Sequence, residues 1–216
     1  MAWSASLALV LLVTGEPPTP GRRLAVLVRI DTQALERHVN VSDMIREIRA
    51  LWQPYADIDF ADAVAAVEPG HDELRLVVDE SARSNAATAQ SLAWIMFTAP
   101  GQPADLVTVS IREARKLMNE GRWRDQPMAQ LPEVERQQFM TRSLARSAAH
   151  EIGHYLLRSS AHSRTGLMRG RLTVADIMDN DLRGFRLEAS QIDALRRRAA
   201  MTGLVVNSAM PPTGTE

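Results

Sequence analysis

The chain has 216 residues, with 25 basic side chains against 26 acidic ones and no cysteine. That length suits one compact domain, or one with a minor lobe, whose core holds without cross-links, and the absence of thiols excludes thiolate metal sites, cysteine nucleophiles and disulfide scaffolds. Charges of both signs are scattered along the sequence, so no nucleic acid is expected as a partner, and His and carboxylates are the metal ligands left.

Residues 7–13 (LALVLLV) form an apolar run too short to cross a bilayer as a helix, so no stable membrane span is expected. Val13 and Gly15 sit where a leader is cleaved, and the turn-rich EPPTPG follows, so 1–15 reads as a candidate signal peptide and 16–23 as a Pro-rich linker. The expectation is export, secreted or periplasmic. No Lys or Arg precedes the apolar run, and the alternatives are a buried first strand or a misassigned start, with a cytoplasmic location.

Residues 24–30 (LAVLVRI) read as a buried strand, and 41–52 places Val41, Met44, Ile45, Ile48 and Leu51 at helical spacing. Short β-type runs follow at 58–60, 74–78 (LRLVV), 92–97 (LAWIMF) and 106–111 (LVTVSI), punctuated by Pro, Gly and Asp. A long helix is expected from Pro132, which suits a first turn, through 133–157 with no internal Pro. Along it Met140, Leu144, Ala148, Ile152 and Leu156 recur at every fourth position, a stripe that should face the sheet.

From 158 to 185 the pattern is irregular and polar. A last amphipathic helix at about 189–201 carries Ile192, Leu195 and Ala199, and Arg196-Arg197-Arg198 falls near its end, where cations suit the helix dipole. Residues 204–216 are expected to form a flexible tail. The fold class expected is α+β: a twisted mixed sheet of about five strands backed by two long helices, with 24–157 as an N-terminal subdomain and 158–203 as an irregular C-terminal one.

Within the long helix stands His150-Glu151-Ile152-Gly153-His154, an HExxH motif. Residues four apart on a helix project to one side, so both imidazoles can bind one metal, here expected to be Zn²⁺. Glu151, beside the first ligand, can take the proton of a metal-activated water as the catalytic base. With only five His in the chain, a chance match at all these positions is rare. A catalytic zinc site wants a third protein ligand. His162, eight residues beyond His154, is the nearest candidate; His38 and His71 are the other imidazoles, and Glu188, Asp176, Asp179 or Asp181 could serve if a downstream carboxylate completes the site.

These residues resemble the metzincin clan of zinc endopeptidases, the matrixin type most closely. HEIGHYLL is similar to the family's active-site helix, His162-Ser163 to its third-ligand His followed by Ser, and Gly166-Leu167-Met168 to the approach to its Met-turn, with Met178 as the alternative Met. Phe185-Arg186-Leu187 followed by Gln191-Ile192-Asp193-Ala194-Leu195 is similar to the closing helix. The family pattern is HExxHxxGxxH, whereas this chain has two more residues before the third His, and Leu157 stands where the family has Gly. The helix is therefore expected to run on into Arg158 or Ser159 before turning.

The resemblance implies a zinc-dependent endopeptidase acting on a polypeptide substrate, with 92–97 as the edge strand that pairs with it. The competing readings are a catalytically silent binding module of the same shape and a zinc hydrolase acting on something other than a peptide. Oligomeric state has no signature in the chain.

Overall fold

A computed structural model describes residues 23–63, 72–80 and 91–207. The candidate signal peptide, the linker up to residue 22, His71 and residues 208–216 lie outside the described residues.

Five strands, β1 (Leu24–Ile30), β2 (Ala56–Asp62), β3 (Asp72–Asp79), β4 (Ala93–Ala99) and β5 (Gln102–Ser110), form one mixed sheet in the order β2-β1-β3-β5-β4. β1 pairs parallel with β2 and β3, and β3 pairs parallel with β5. Only β4 runs antiparallel, along β5, and it stands at the edge with register shifts between Ile95 and Phe97 and between Phe97 and Ala99. Such irregularities are common where an edge borders a cleft. The architecture is α+β, as expected.

Alternation puts Val26, Val28, Leu74, Leu76, Val107, Val109 and Ile95 into one core with the helices. Helix α1 (Thr32–Glu36) is a short turn after β1. Helix α2 (Val41–Trp52) starts where the Asn40 side chain accepts from the Asp43 N–H at 3.0 Å, and buries Val41, Met44, Ile48, Leu51 and Trp52. Trp52 Nε1 donates to the Ala149 carbonyl at 3.0 Å, fastening α2 to the long helix beside His150.

The run at 106–111 does not stay a strand to its end. β5 stops at Ser110, whose hydroxyl caps helix α3 (Ile111–Glu120) by accepting from the Glu113 N–H at 3.2 Å. This helix was not among the expected elements, although Ile111, Ala114, Leu117 and Met118 stand at helical spacing behind the Ser-x-x-Glu signature at 110–113. A hairpin of β6 (Arg122–Trp123) and β7 (Gln126–Pro127) turns through Arg124 and Asp125, both at positive φ, and leads to helix α4.

Helix α4 (Glu133–Leu157) buries Met140, Leu144, Ala148, Ile152 and Leu156, the stripe read from the sequence, against the sheet and α2. It ends at Leu157, and Arg158 turns left-handed at φ 52°. The Arg158 and Ser159 N–H groups return to the Tyr155 and His154 carbonyls, the pair of bonds usual where such a residue closes a helix. Beyond a polar loop come α5 (Val174–Met178), opened by a Thr173–Asp176 capping box, a 3₁₀ turn at Leu182–Phe185, and α6 (Ala189–Asn207), which runs past the expected end at 201. No helix among the described residues is long and apolar enough to cross a membrane.

Candidate metal centre

His150 and His154 lie one turn apart on the cleft side of α4, both buried, and the loop after α4 brings exposed His162 to them. One ring nitrogen of each lies within 4.8 Å of the others. The His150 and His162 rings stack at 5.2 Å between centroids and 15°, while His154 stands nearly perpendicular to both, 4.7 Å from His150 and 4.9 Å from His162. No carboxylate joins this group among the described residues. Asp176 is bonded by Arg169 and by Thr173, Asp181 pairs with Arg183, and the Asp179 carboxylate accepts from the Asp181 N–H. His38 engages Glu80 and Arg115 instead.

Backbone carbonyls choose the tautomers. His150 Nδ1 donates to Leu167 O at 2.8 Å, and His154 Nδ1 donates to Ser159 O at 2.6 Å. Each Nε2 is then an unprotonated lone pair, and the two face one another at 3.0 Å. Two acceptors at that separation repel unless a cation lies between them, and ligands about 2 Å from a tetrahedral zinc stand about 3.3 Å apart. The donor set fits a metal on this observation. Burial lowers the pKa of His150 to about 4, despite its bond to Leu167, and that of His154 likewise falls, so protons do not compete for these nitrogens near neutrality. Phe97 packs edge-on to His154 at 6.3 Å.

Comparison with protein-family models and with curated proteins finds no match. What the centre can do therefore rests on its own geometry.

Glu151 lines the same cleft as the three imidazoles. Burial pushes its carboxyl up to about 8, opposed by a hydrogen bond from the Ile95 backbone N–H of β4. The edge strand thus touches the acid next to the first imidazole. Met168 is wholly buried, and a Cβ on Gly153 would overlap its sulfur and press on Trp52, so Met168 lies under the turn joining the two helical His residues. Met178 packs instead in a separate cluster with Met128, Leu131, Phe139 and Ile177.

The cleft, about 830 Å³, extends along β4 from the imidazoles to a wall the sequence reading did not foresee, formed by Glu113, Lys116, Leu117 and Glu120 of α3. Gly170, Arg171 and Leu172 also line it. Lys116 is the one lysine in the chain.

Proposed function

We propose that this protein is a zinc-dependent endopeptidase of metzincin-like, matrixin-type design. The observation that carries the reading is the convergence of His150 and His154 Nε2, with His162, in a cleft that also holds Glu151 and the edge strand β4.

His150, His154 and His162 would hold the ion, and backbone carbonyls at Leu167 and Ser159 keep two of them in the ligating tautomer. When bound, zinc polarises a carbonyl and lowers the pKa of water towards about 7. Glu151 takes the proton of the attacking water and returns it to the leaving amine. Strand β4, at the edge of the sheet, would pair with an extended segment, which recognises backbone rather than sequence and supports internal cleavage of polypeptides, the Ile95 N–H being shared with Glu151. Met168 beneath Gly153 supports its reading as the Met-turn residue.

The test is cleavage of an unfolded protein substrate by zinc-loaded enzyme. Activity should vanish with chelator and with Glu151→Gln, and return on adding zinc to the chelated wild type. Persistent turnover in Glu151→Gln would remove it as the base, and zinc binding without cleavage of any peptide would favour a binding module.

A further inference from the structure

We propose that Arg169 is a positioning residue for the metal centre, which, together with Arg146 and Phe185, clamps the segment that orients His150 and carries the return of His162. The inference rests on the metal-binding reading above.

The segment concerned is 166–169. Leu167 O fixes the His150 tautomer, and Met168 O accepts from the Ser163 N–H at 2.9 Å, adjoining His162. A parallel bridge joins Ser163 to Arg169. Gly166 opens this turn at φ 78° and lies so close to the Arg186 carbonyl that a Cβ there has no room. Two of the imidazoles therefore depend on a stretch that belongs to neither a helix nor the sheet.

Arg169 holds that stretch with three nitrogens. Nε donates to Gly166 O at 2.9 Å, one terminal nitrogen to the Asp176 carboxylate at 2.5 Å, and the other to Gly184 O at 2.6 Å. Burial alone would raise the Asp176 pKa, but bonds from Thr173 and Arg169 outweigh it and hold the carboxyl below its ordinary value, so the partner stays charged. Arg146 anchors the same assembly from α4, one turn before His150. It is wholly buried, pairs with Glu47 of α2 at 2.6 Å, and donates to the Asp176 carbonyl and to Asp179 O at 2.7 Å. Both guanidinium groups lie over the Phe185 ring, at 4.7 Å for Arg146 and 5.4 Å for Arg169.

The geometry asks for a planar fork at position 169, with three donors fixed in direction, which an ammonium cannot supply. Outer residues that orient metal ligands typically change affinity about 10- to 100-fold when lost. Arg169 also borders the cleft, so turnover alone would confuse positioning with substrate contact. Metal affinity separates the two.

Zinc affinity, by competition with a chromogenic chelator, and the visible absorption of the Co²⁺-loaded protein are compared for wild type and variants. Arg169→Ala and Arg169→Lys should both bind zinc about 10- to 100-fold more weakly, with an altered cobalt spectrum, and Asp176→Asn several-fold more weakly. Phe139→Leu, a core change in the separate cluster, should lower the melting temperature and leave affinity within about twofold. The proposal is overturned if either Arg169 variant folds and binds zinc within about twofold of wild type. Should both Arg169 variants fail to fold, an unchanged affinity in Asp176→Asn overturns it. Wild type that binds neither metal sinks the metal reading itself, a result distinct from a failed clamp on a tightly binding protein.

Discussion

The His150 imidazole donates through Nδ1 to the Leu167 carbonyl at 2.8 Å, joining residues 17 positions apart in the chain. The bond leaves Nε2 of His150 as a lone pair opposite Nε2 of His154, an approach of two acceptors that a cation between them would relieve. A cation held by this pair would bind the folded state alone and so would stabilise it.

Zinc should therefore raise the melting temperature of the wild type in proportion to the logarithm of free zinc, by about 2.7 kcal/mol of stability at a hundredfold excess over Kd. His162→Ala should lose most of that gain while its metal-free melting temperature stays near wild type, because this imidazole is exposed. Glu188→Gln should keep the gain. Calorimetry with and without zinc checks all three, and a Glu188 variant that loses the zinc shift would reassign the third ligand.

In the metal-free protein Glu151 and His150 pull stability in opposite directions with pH. The Glu151 pKa rises from 4.5 to about 8 in the fold, so its contribution is complete below 4.5 and is lost as pH rises through 8. His150 falls from 6.5 to about 4, so its contribution is complete above 6.5 and is lost as pH drops through 4. Glu151→Gln should accordingly stabilise the apo protein progressively from pH 5 to 8, by on the order of 1 kcal/mol per pH unit at most. Melting curves across that range would show a constant offset if the carboxyl were instead solvated.

Gly166→Ala should be among the most harmful single-methyl changes in the chain. The residue is at φ 78°, and the new Cβ would collide with the Arg186 carbonyl, which belongs to the backbone and cannot step aside cheaply. A loss of about 2 kcal/mol or more is expected, together with weaker zinc binding, since Leu167 follows directly. Denaturant unfolding and a zinc titration on the same preparation read both effects.

Arg158 provides a contrasting test. It adopts φ 52° at the end of α4, and its guanidinium lies 5.5 Å over the Tyr155 ring. Arg158→Gly should fall within about 1 kcal/mol of wild type, relief of backbone strain offsetting lost stacking. Arg158→Ile, with a β-branched residue forced left-handed, should cost about 1–2 kcal/mol and loosen the Ser159 carbonyl that orients His154. Equal stability of the two variants would mean that the helix can end elsewhere.

Much of this molecule follows from local patterns. HExxH on an unbroken helical stripe placed His150 and His154 side by side without reference to any other element, since a helix turn is a short-range geometry. The five strands were legible from β-type runs between turn residues, and Leu157 stays helical as its side chain required, but the helix turns at once at Arg158 instead of running on into Arg158 or Ser159. Helix α3 was also legible, from Ile111, Ala114, Leu117 and Met118 at helical spacing and from its capping signature, but the β-type run at 106–111 overlaps its first residue and masked its start.

Other relationships belong to the tertiary structure alone. Sequence offered His162 and four carboxylates as partners for the helical pair, and the loop fold brings the imidazole while ion pairs occupy Asp176 and Asp181. The strand order, which leaves β4 at the edge with its Ile95 N–H on Glu151, and the Arg146–Phe185–Arg169 assembly join residues far apart in the chain. Composition cannot announce such contacts: an arginine looks the same in sequence whether it ends in water or, like Arg169, holds two carbonyls and a carboxylate, and only packing decides which donors lose their solvent.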